Sequence, residues 1–304
     1  MISFKKFDMD RTIVAPTIFL KHGVPMPHWT TDIGVVLEPE VRKELRRFFR
    51  AFNRLNGWSG DHCYYRVDAY FTPNQITVLE INVEFVDGWG TGLNLSRAAG
   101  IEVNPTLLTF PRRFMTTHSA YLPELELCVN ELKLRGKEAE LVADGFGYVY
   151  GRSRDSEKFH REDGGAGEWM DDKCYLAEFS REWKSNLVQT PRHYFHGHHQ
   201  HNASWEEIPK EVVLKFTLKE SPESIRARAS VIFHKPDGEA RFLKRCYREE
   251  TLIAQDIVEP TKHDGQSCQL IILVIEDEPI TGYVQYSHAK IINDNSTHGP
   301  LWIK

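Results

Sequence analysis

The chain has 304 residues, 41% hydrophobic, 27% charged and 12% aromatic, enough for a large core shared by one or two intimately packed lobes. With 38 Lys and Arg against 43 Asp and Glu the formal net charge is −5, so bulk electrostatics give no support to nucleic-acid or membrane binding. No apolar run approaches the roughly 20 residues of a membrane helix. The start MISFKKFDMD lacks a signal-peptide apolar region, and five scattered cysteines form no C-x-x-C, so the expected setting is a reducing cytoplasm.

Residues 1–36 carry prolines and turn residues and stay unassigned. EPEVRKELRRFFRAFNRLNG (38–57) predicts an amphipathic helix, because Val41, Leu45, Phe48, Phe49, Phe52 and Leu55 recur at helical spacing and Gly57 suits its end. Its six arginines and lysines are expected to form a solvated face. YYRVDAYF (64–71) and VLEINVEFV (78–86) alternate apolar and polar residues around TPNQ, which predicts a β-hairpin. DGWGTGLNLSRAAG (87–100) reads either as a plain turn into a helix or as a glycine segment close to a phosphate; it is not a Walker loop, since no G-K-[ST] follows. LPELELCVNELKLRGKEAELVAD (122–144) predicts helix, a stop at Gly136, then strand, and so an α+β or α/β class. Residues 151–173 are polar and loop-like. The five histidines of RHYFHGHHQH (192–201) lack zinc-motif spacing and are expected on a surface loop. The last third is strand-rich: 211–217, 227–234, 250–260, 267–277 and 280–292.

The chemistry is concentrated in the hairpin. With a loop at Pro73–Gln75, Arg66 faces Asn82 and Asp68 faces Glu80, and one sheet face holds Arg66, Asp68, Glu80, Asn82 and Glu84. The other face holds Val67, Leu79, Ile81, Val83 and Phe85. Gathered carboxylates on a half-buried sheet repel and lose hydration unless a cation compensates. A hard divalent ion is the natural choice, and Mg²⁺ typically takes one or two carboxylates plus substrate phosphates. The competing reading is an ordinary solvated face of an antiparallel sheet.

The Arg-x-Asp…Leu-Glu-x-Asn arrangement, with the hairpin ahead of the remaining candidates, resembles circularly permuted ATP-grasp ligases of the glutathionylspermidine synthase type. The resemblance implies an α+β, ATP-grasp-like fold over 1–304, with approximate sub-lobes at 37–120, 121–205 and 206–304. It implies ATP and Mg²⁺ as cofactors, Asp68, Glu80 and Asn82 as metal ligands, and Arg66 on the transferred phosphoryl group or acyl phosphate. VVLKFT resembles the family's lysine strand and implies a phosphate contact for Lys215. LIAQDIVEP resembles its hinge strand and implies adenine contacts from the backbone of Gln255, Asp256, Ile257 and Val258. Lys290 and Asn293 match the closing stretch. Two departures stand out. The loop after Lys215, LKESPESIRARAS, has no glycine to cradle phosphate, leaving Arg226 and Arg228 as substitutes. The family's second nucleotide lysine has no clear counterpart, Lys184 being the nearest.

The implied reaction is ATP-dependent joining of a small-molecule carboxylate and an amine through an acyl phosphate, with no nucleic acid and no membrane involved. The alternatives are a non-catalytic nucleotide-binding scaffold, suggested by the glycine-free loop, and a Mg²⁺-dependent phosphoesterase, which would need further acids. The acid, the amine and the oligomeric state are not encoded legibly.

Overall fold

The structure is a computed structural model; it describes residues 1–56, 64–83, 87–109, 112–116, 119–143, 145–150, 159–161, 172–196, 203–218, 221–227, 231–236, 240–289 and 296–304. Its largest sheet has nine strands. In spatial order they are Ile2–Lys6, Ile33–Leu37, Thr297–Ile303, Glu278–Ser287, Gln266–Ile275, Tyr64–Thr72, Gln75–Val83 and Val188–Gln189, with Lys262–His263 paired to the 266–275 strand. Two pairings are parallel, 297–303 with 33–37 and 188–189 with 75–83; the rest are antiparallel. The fold is mixed α/β, and no helix among the described residues is long and apolar enough to cross a membrane.

Both faces of this sheet are covered. Helix α1 (Pro39–Leu55) starts at a proline, which needs no helical N–H there, and carries Glu40 in its first turn and Arg54 in its last, as the helix dipole favours. Val41, Leu45, Phe48, Phe49 and Phe52 form its buried stripe, packed on Tyr65, Val67, Ala69, Leu270 and Ile272. The stripe joins α4 (Cys174–Glu182) through Phe179, whose ring meets Phe48 edge-on at 5.0 Å. The opposite face, Ile271, Leu273 and Ile275, packs on α2 (Trp89–Ala98) and α3 (Leu122–Leu134). Each fully buried Leu, Ile or Phe contributes about 1.5–3 kcal/mol, so these two layers hold the hairpin rigidly between helices.

The basic face of α1 is not simply solvated. Arg42 and Arg46 both bind Glu278, which also accepts from Asn104 Nδ2 at 2.8 Å. Arg50 binds Asp277. The arginines pin the helix to the turn at Asp277–Glu278 of the central hairpin.

A second, four-stranded antiparallel sheet has the order His193–Tyr194, Leu252–Asp256, Val212–Phe216 and Val231–Phe233. Alternation splits it cleanly. Val212, Leu214, Phe216, Leu252 and Ala254 pack with Cys246 and Tyr247 of α6 (Arg241–Arg248). The intervening residues Lys215, Ile253 and Gln255, with His193, line the other side against the hairpin. Of the strand expected over 227–234, Ala227 ends α5 (Pro222–Ala227) instead, 228–230 lie outside the described residues, and Val231–Phe233 is strand. A third sheet, Phe159–Arg161, Gly145–Tyr150, Arg113–Thr116 and Glu140–Leu141, is all parallel. The unassigned N-terminal region holds the strand pair Thr17–Lys21 and Val24–Pro27.

Candidate active site

The hairpin pairs Arg66 with Asn82 and Asp68 with Glu80, the register expected from the spacing, but by a different route. The turn has two residues, Thr72 pairing with Gln75, which offsets the strands by one. A β-bulge beyond Asp68 absorbs an extra residue, Leu79, and restores the offset. The four polar residues therefore share one face, with Val67, Ile76, Val78 and Ile81 buried on the other. Glu84 and Phe85 lie outside the described residues, and Leu79 leaves the regular alternation.

Arg66 is the hub of this face. Its Nε donates to Asp68 Oδ1 at 3.0 Å, one terminal nitrogen reaches Asp68 Oδ2 at 3.3 Å, and the other donates to Asp87 Oδ1. Burial acts against its charge, but Asp68 and Asp87 outweigh that and hold the guanidinium firmly protonated. Asn82 is 1% exposed, and its Nδ2 lies 3.4 Å from the Arg66 carbonyl.

Glu80 meets two lysines. Lys173 Nζ stands 3.6 Å from one carboxylate oxygen and Lys215 Nζ 3.9 Å from the other, while Lys215 also donates to the Leu79 carbonyl at 2.9 Å. Both lysines are only 7% exposed. The Lys173 ammonium has an ionic neighbour but no hydrogen-bond partner among the described residues, a costly arrangement for a buried charge. It borders a cavity of about 10 Å³, also lined by Ile253, Gln255 and His193, which is the room one water needs. Burial and the nearby Lys215 ammonium push His193 down to about 3, so it is neutral here.

The protein therefore supplies its own counter-ions to the acidic hairpin: Arg66 for Asp68, Lys173 and Lys215 for Glu80. Charge compensation alone does not demand a metal. Among the described residues no three His, Cys, Asp or Glu side chains gather as a metal group, which is unlike the multi-acid site a phosphoesterase requires. The donor chemistry of Asp68, Glu80 and Asn82, two carboxylates and a carboxamide on ladder rungs two residues apart, still suits a Mg²⁺ ion that takes the rest of its ligands from phosphate.

Lys184 is exposed on the surface beyond α4, and its carbonyl faces Arg47; Lys173 stands at the site instead. No motif marks Lys173, which closes a polar, glycine-rich stretch and precedes α4 directly. His193 is buried in a strand, 3% exposed, and not on a surface loop; of the remaining histidines in that run, His198, His199 and His201 lie outside the described residues. Gln255 is buried and Asp256 accepts from the Tyr194 hydroxyl at 2.9 Å. The backbone of both is engaged: each pairs with the 212–216 strand, and the Asp256 N–H donates to the Arg192 carbonyl. The ladder ends there, so Ile257 and Val258 are the first residues past it. Arg226 lies over the Phe242 ring. Arg228, Lys290 and Asn293 lie outside the described residues.

The glycine segment 87–100 is a helix start whose N-terminus is already filled. Glu124 Oε1 accepts from the Gly88 and Thr91 N–H groups at 3.1 and 3.0 Å, using the anion-binding end of α2 on a side chain of the protein. Gly88 has φ of +113°, and a Cβ on Gly90 would lie 2.3 Å from the Glu124 carbonyl. These glycines serve the turn and the close approach of α2 to α3, and not a phosphate.

Comparison with known proteins adds little. No protein-family model matches the chain, and no curated protein does. Among solved structures it is similar to one from Methylobacillus flagellatus KT described as a "putative gamma-glutamylcysteine synthetase". The two are 12% identical with a TM-score of 0.38, over 89% of this chain and 87% of the other. Likeness at that level does not decide fold or function.

Proposed function

We propose that this protein is an ATP- and Mg²⁺-dependent carboxylate–amine ligase, built on a permuted ATP-grasp-like plan and acting through an acyl phosphate. The observation that carries this reading is the pair of buried ammonium groups, Lys173 and Lys215, meeting at Glu80 on the face that also holds Arg66, Asp68 and Asn82. Two buried lysines converging on one carboxylate within a polar hairpin suit a polyphosphate, whose oxygens would give Lys173 the hydrogen-bond acceptor that Glu80, at 3.6 Å, does not supply.

In this reading the carboxylate substrate attacks the γ-phosphorus and ADP departs. The amine nitrogen then forms the C–N bond as the acyl C–O bond breaks, phosphate leaves with that electron pair and the amine sheds a proton to solvent. Arg66 faces the transferred phosphoryl oxygens, a role suited to its planar fork. Lys173 and Lys215 offset charge on the upstream phosphates. Asp68, Glu80 and Asn82 would hold Mg²⁺, which when bound neutralises and aligns phosphate oxygens. The small sheet carrying Lys215 and Gln255 must part from the hairpin to admit a nucleotide, since the cavity of about 10 Å³ holds none.

That closure favours a second reading, a non-catalytic nucleotide-binding protein or scaffold. Mixing the protein with ATP, Mg²⁺ and a library of acids and amines separates the two. ADP release that requires both an acid and an amine supports the ligase. Nucleotide binding without ADP release under any pairing overturns it in favour of the second reading.

A further inference from the structure

On the far side of Arg66 lies a second cavity, of about 60 Å³, between the Thr17–Pro27 strand pair and the start of α2. Asp87 and Glu124 line it, and among the described residues no Lys or Arg does. Its walls are aromatic: Phe19, Trp29, Tyr121 and Tyr283. Phe19 and Tyr121 have ring centroids 5.6 Å apart, and Trp29 is 61% exposed, at the rim. We propose that this cavity binds the ammonium end of an organic amine, held by Glu124 and Asp87 and enclosed by these rings.

Three observations support this. First, Glu124 is 2% exposed, and only its Oε1 is used by the α2 backbone; its Oε2 is buried with no hydrogen-bond partner. A buried acceptor without a donor is costly and marks a place for one. An ammonium supplies three donors and a positive charge. Second, four aromatic side chains line the cavity, and aromatic rings attract organic cations over their faces. Third, the other titratable groups that line the cavity among the described residues add no positive charge: Asp87 is a carboxylate, His28 is lowered by burial, His298 is pushed down to about 3 by burial and by His28, and burial raises Tyr283 so that it stays a neutral phenol. Among the described residues that line the cavity, an anionic ligand would meet only carboxylates and neutral groups.

Asp87 links this cavity to the hairpin, since its carboxylate accepts from Arg66. Identifying the bound amine as the acceptor of the ligase reaction rests on the function proposed above; the binding site itself does not.

The test is calorimetric titration without ATP, using propylammonium chloride, propanol and sodium propionate as probes of equal chain length and different charge. Propylammonium is expected to bind at least tenfold more tightly than the other two. Glu124→Gln keeps an oxygen for the α2 amides and removes the charge, and is expected to weaken propylammonium at least tenfold. Trp29→Ala, at an exposed rim position, is expected to weaken it a few-fold. Burial raises Glu124 to about 8, so wild-type affinity is expected to climb by up to tenfold per pH unit from pH 6 towards 8, a dependence absent in Glu124→Gln. Propionate binding as well as propylammonium, or a Glu124→Gln variant that binds propylammonium undiminished, overturns the proposal. Amine binding without ADP release when ATP, Mg²⁺ and the acid library are then added leaves this site standing and counts against the ligase; ADP release with those additions but without amine binding here does the reverse.

Discussion

Removing the charge of Glu80 tests the site at its centre. Read from the sequence alone, Glu80→Gln spares the fold and removes a metal ligand. The ion pairs say otherwise, because Glu80 is the counter-ion of two buried lysines at 3.6 and 3.9 Å. At an effective dielectric near 20 each such contact amounts to about 4 kcal/mol of attraction before desolvation is subtracted. Breaking a buried pair by deleting one partner typically costs about 3–5 kcal/mol. Glu80→Gln is therefore expected to lose about 3–5 kcal/mol in urea unfolding, seen as a lower midpoint at unchanged slope. Adding Lys173→Met to that variant is expected to recover part of the loss, since it removes an uncompensated charge. A Glu80→Gln variant within 1 kcal/mol of wild type at pH 7 would refute the reasoning and show that the lysines find other compensation.

Other outcomes follow from the same structure. Glu124 is raised from 4.5 to about 8, so the folded state holds a proton that the unfolded state has lost, and wild-type stability should fall with pH across that window; Glu124→Gln should flatten this fall in urea melts at pH 5, 6.5 and 8. His193 has the opposite sign: lowered from 6.5 to about 3, it should make wild type lose stability as pH drops through that range, and His193→Gln should remove that part of the acid sensitivity. Glu278→Ala, which strips Arg42, Arg46 and Asn104 of their common acceptor, is expected to cost about 1–3 kcal/mol, read by thermal or urea unfolding.

Much of the frame is legible in residues close together in sequence. The stripe of Val41, Leu45, Phe48, Phe49 and Phe52 gives α1 to within two residues at each end. The alternation of 64–71 and 78–86 gives the hairpin and the pairing of Asp68 with Glu80. What is not legible depends on distant partners. The Leu79 bulge compensates for a turn one residue shorter than expected, and two such errors cancel unseen. Lys173 finds Glu80 across 93 positions, and nothing around it in a polar, glycine-rich stretch distinguishes it from a surface lysine. His193 sits in a histidine run that looks solvated, yet two residues of strand suffice to bury it against the 252–256 strand. Glu124 lies in a helix rich in acids, and only the arrival of the α2 N-terminus sets it apart. Helix α6, RFLKRCYR, is so charged that its small apolar stripe is easily passed over.

The most direct test of the central claim is calorimetric titration of ATP with Mg²⁺ into wild type, Lys173→Met and Lys215→Ala, repeated with acid and amine mixtures present. The account expects Mg²⁺-dependent binding by wild type that weakens at least tenfold in each lysine variant, because both ammonium groups exchange Glu80 for phosphate oxygens. No ATP binding under any of these conditions, or undiminished binding by both variants, would contradict it and reduce the lysine pair to a buried ion-pair network.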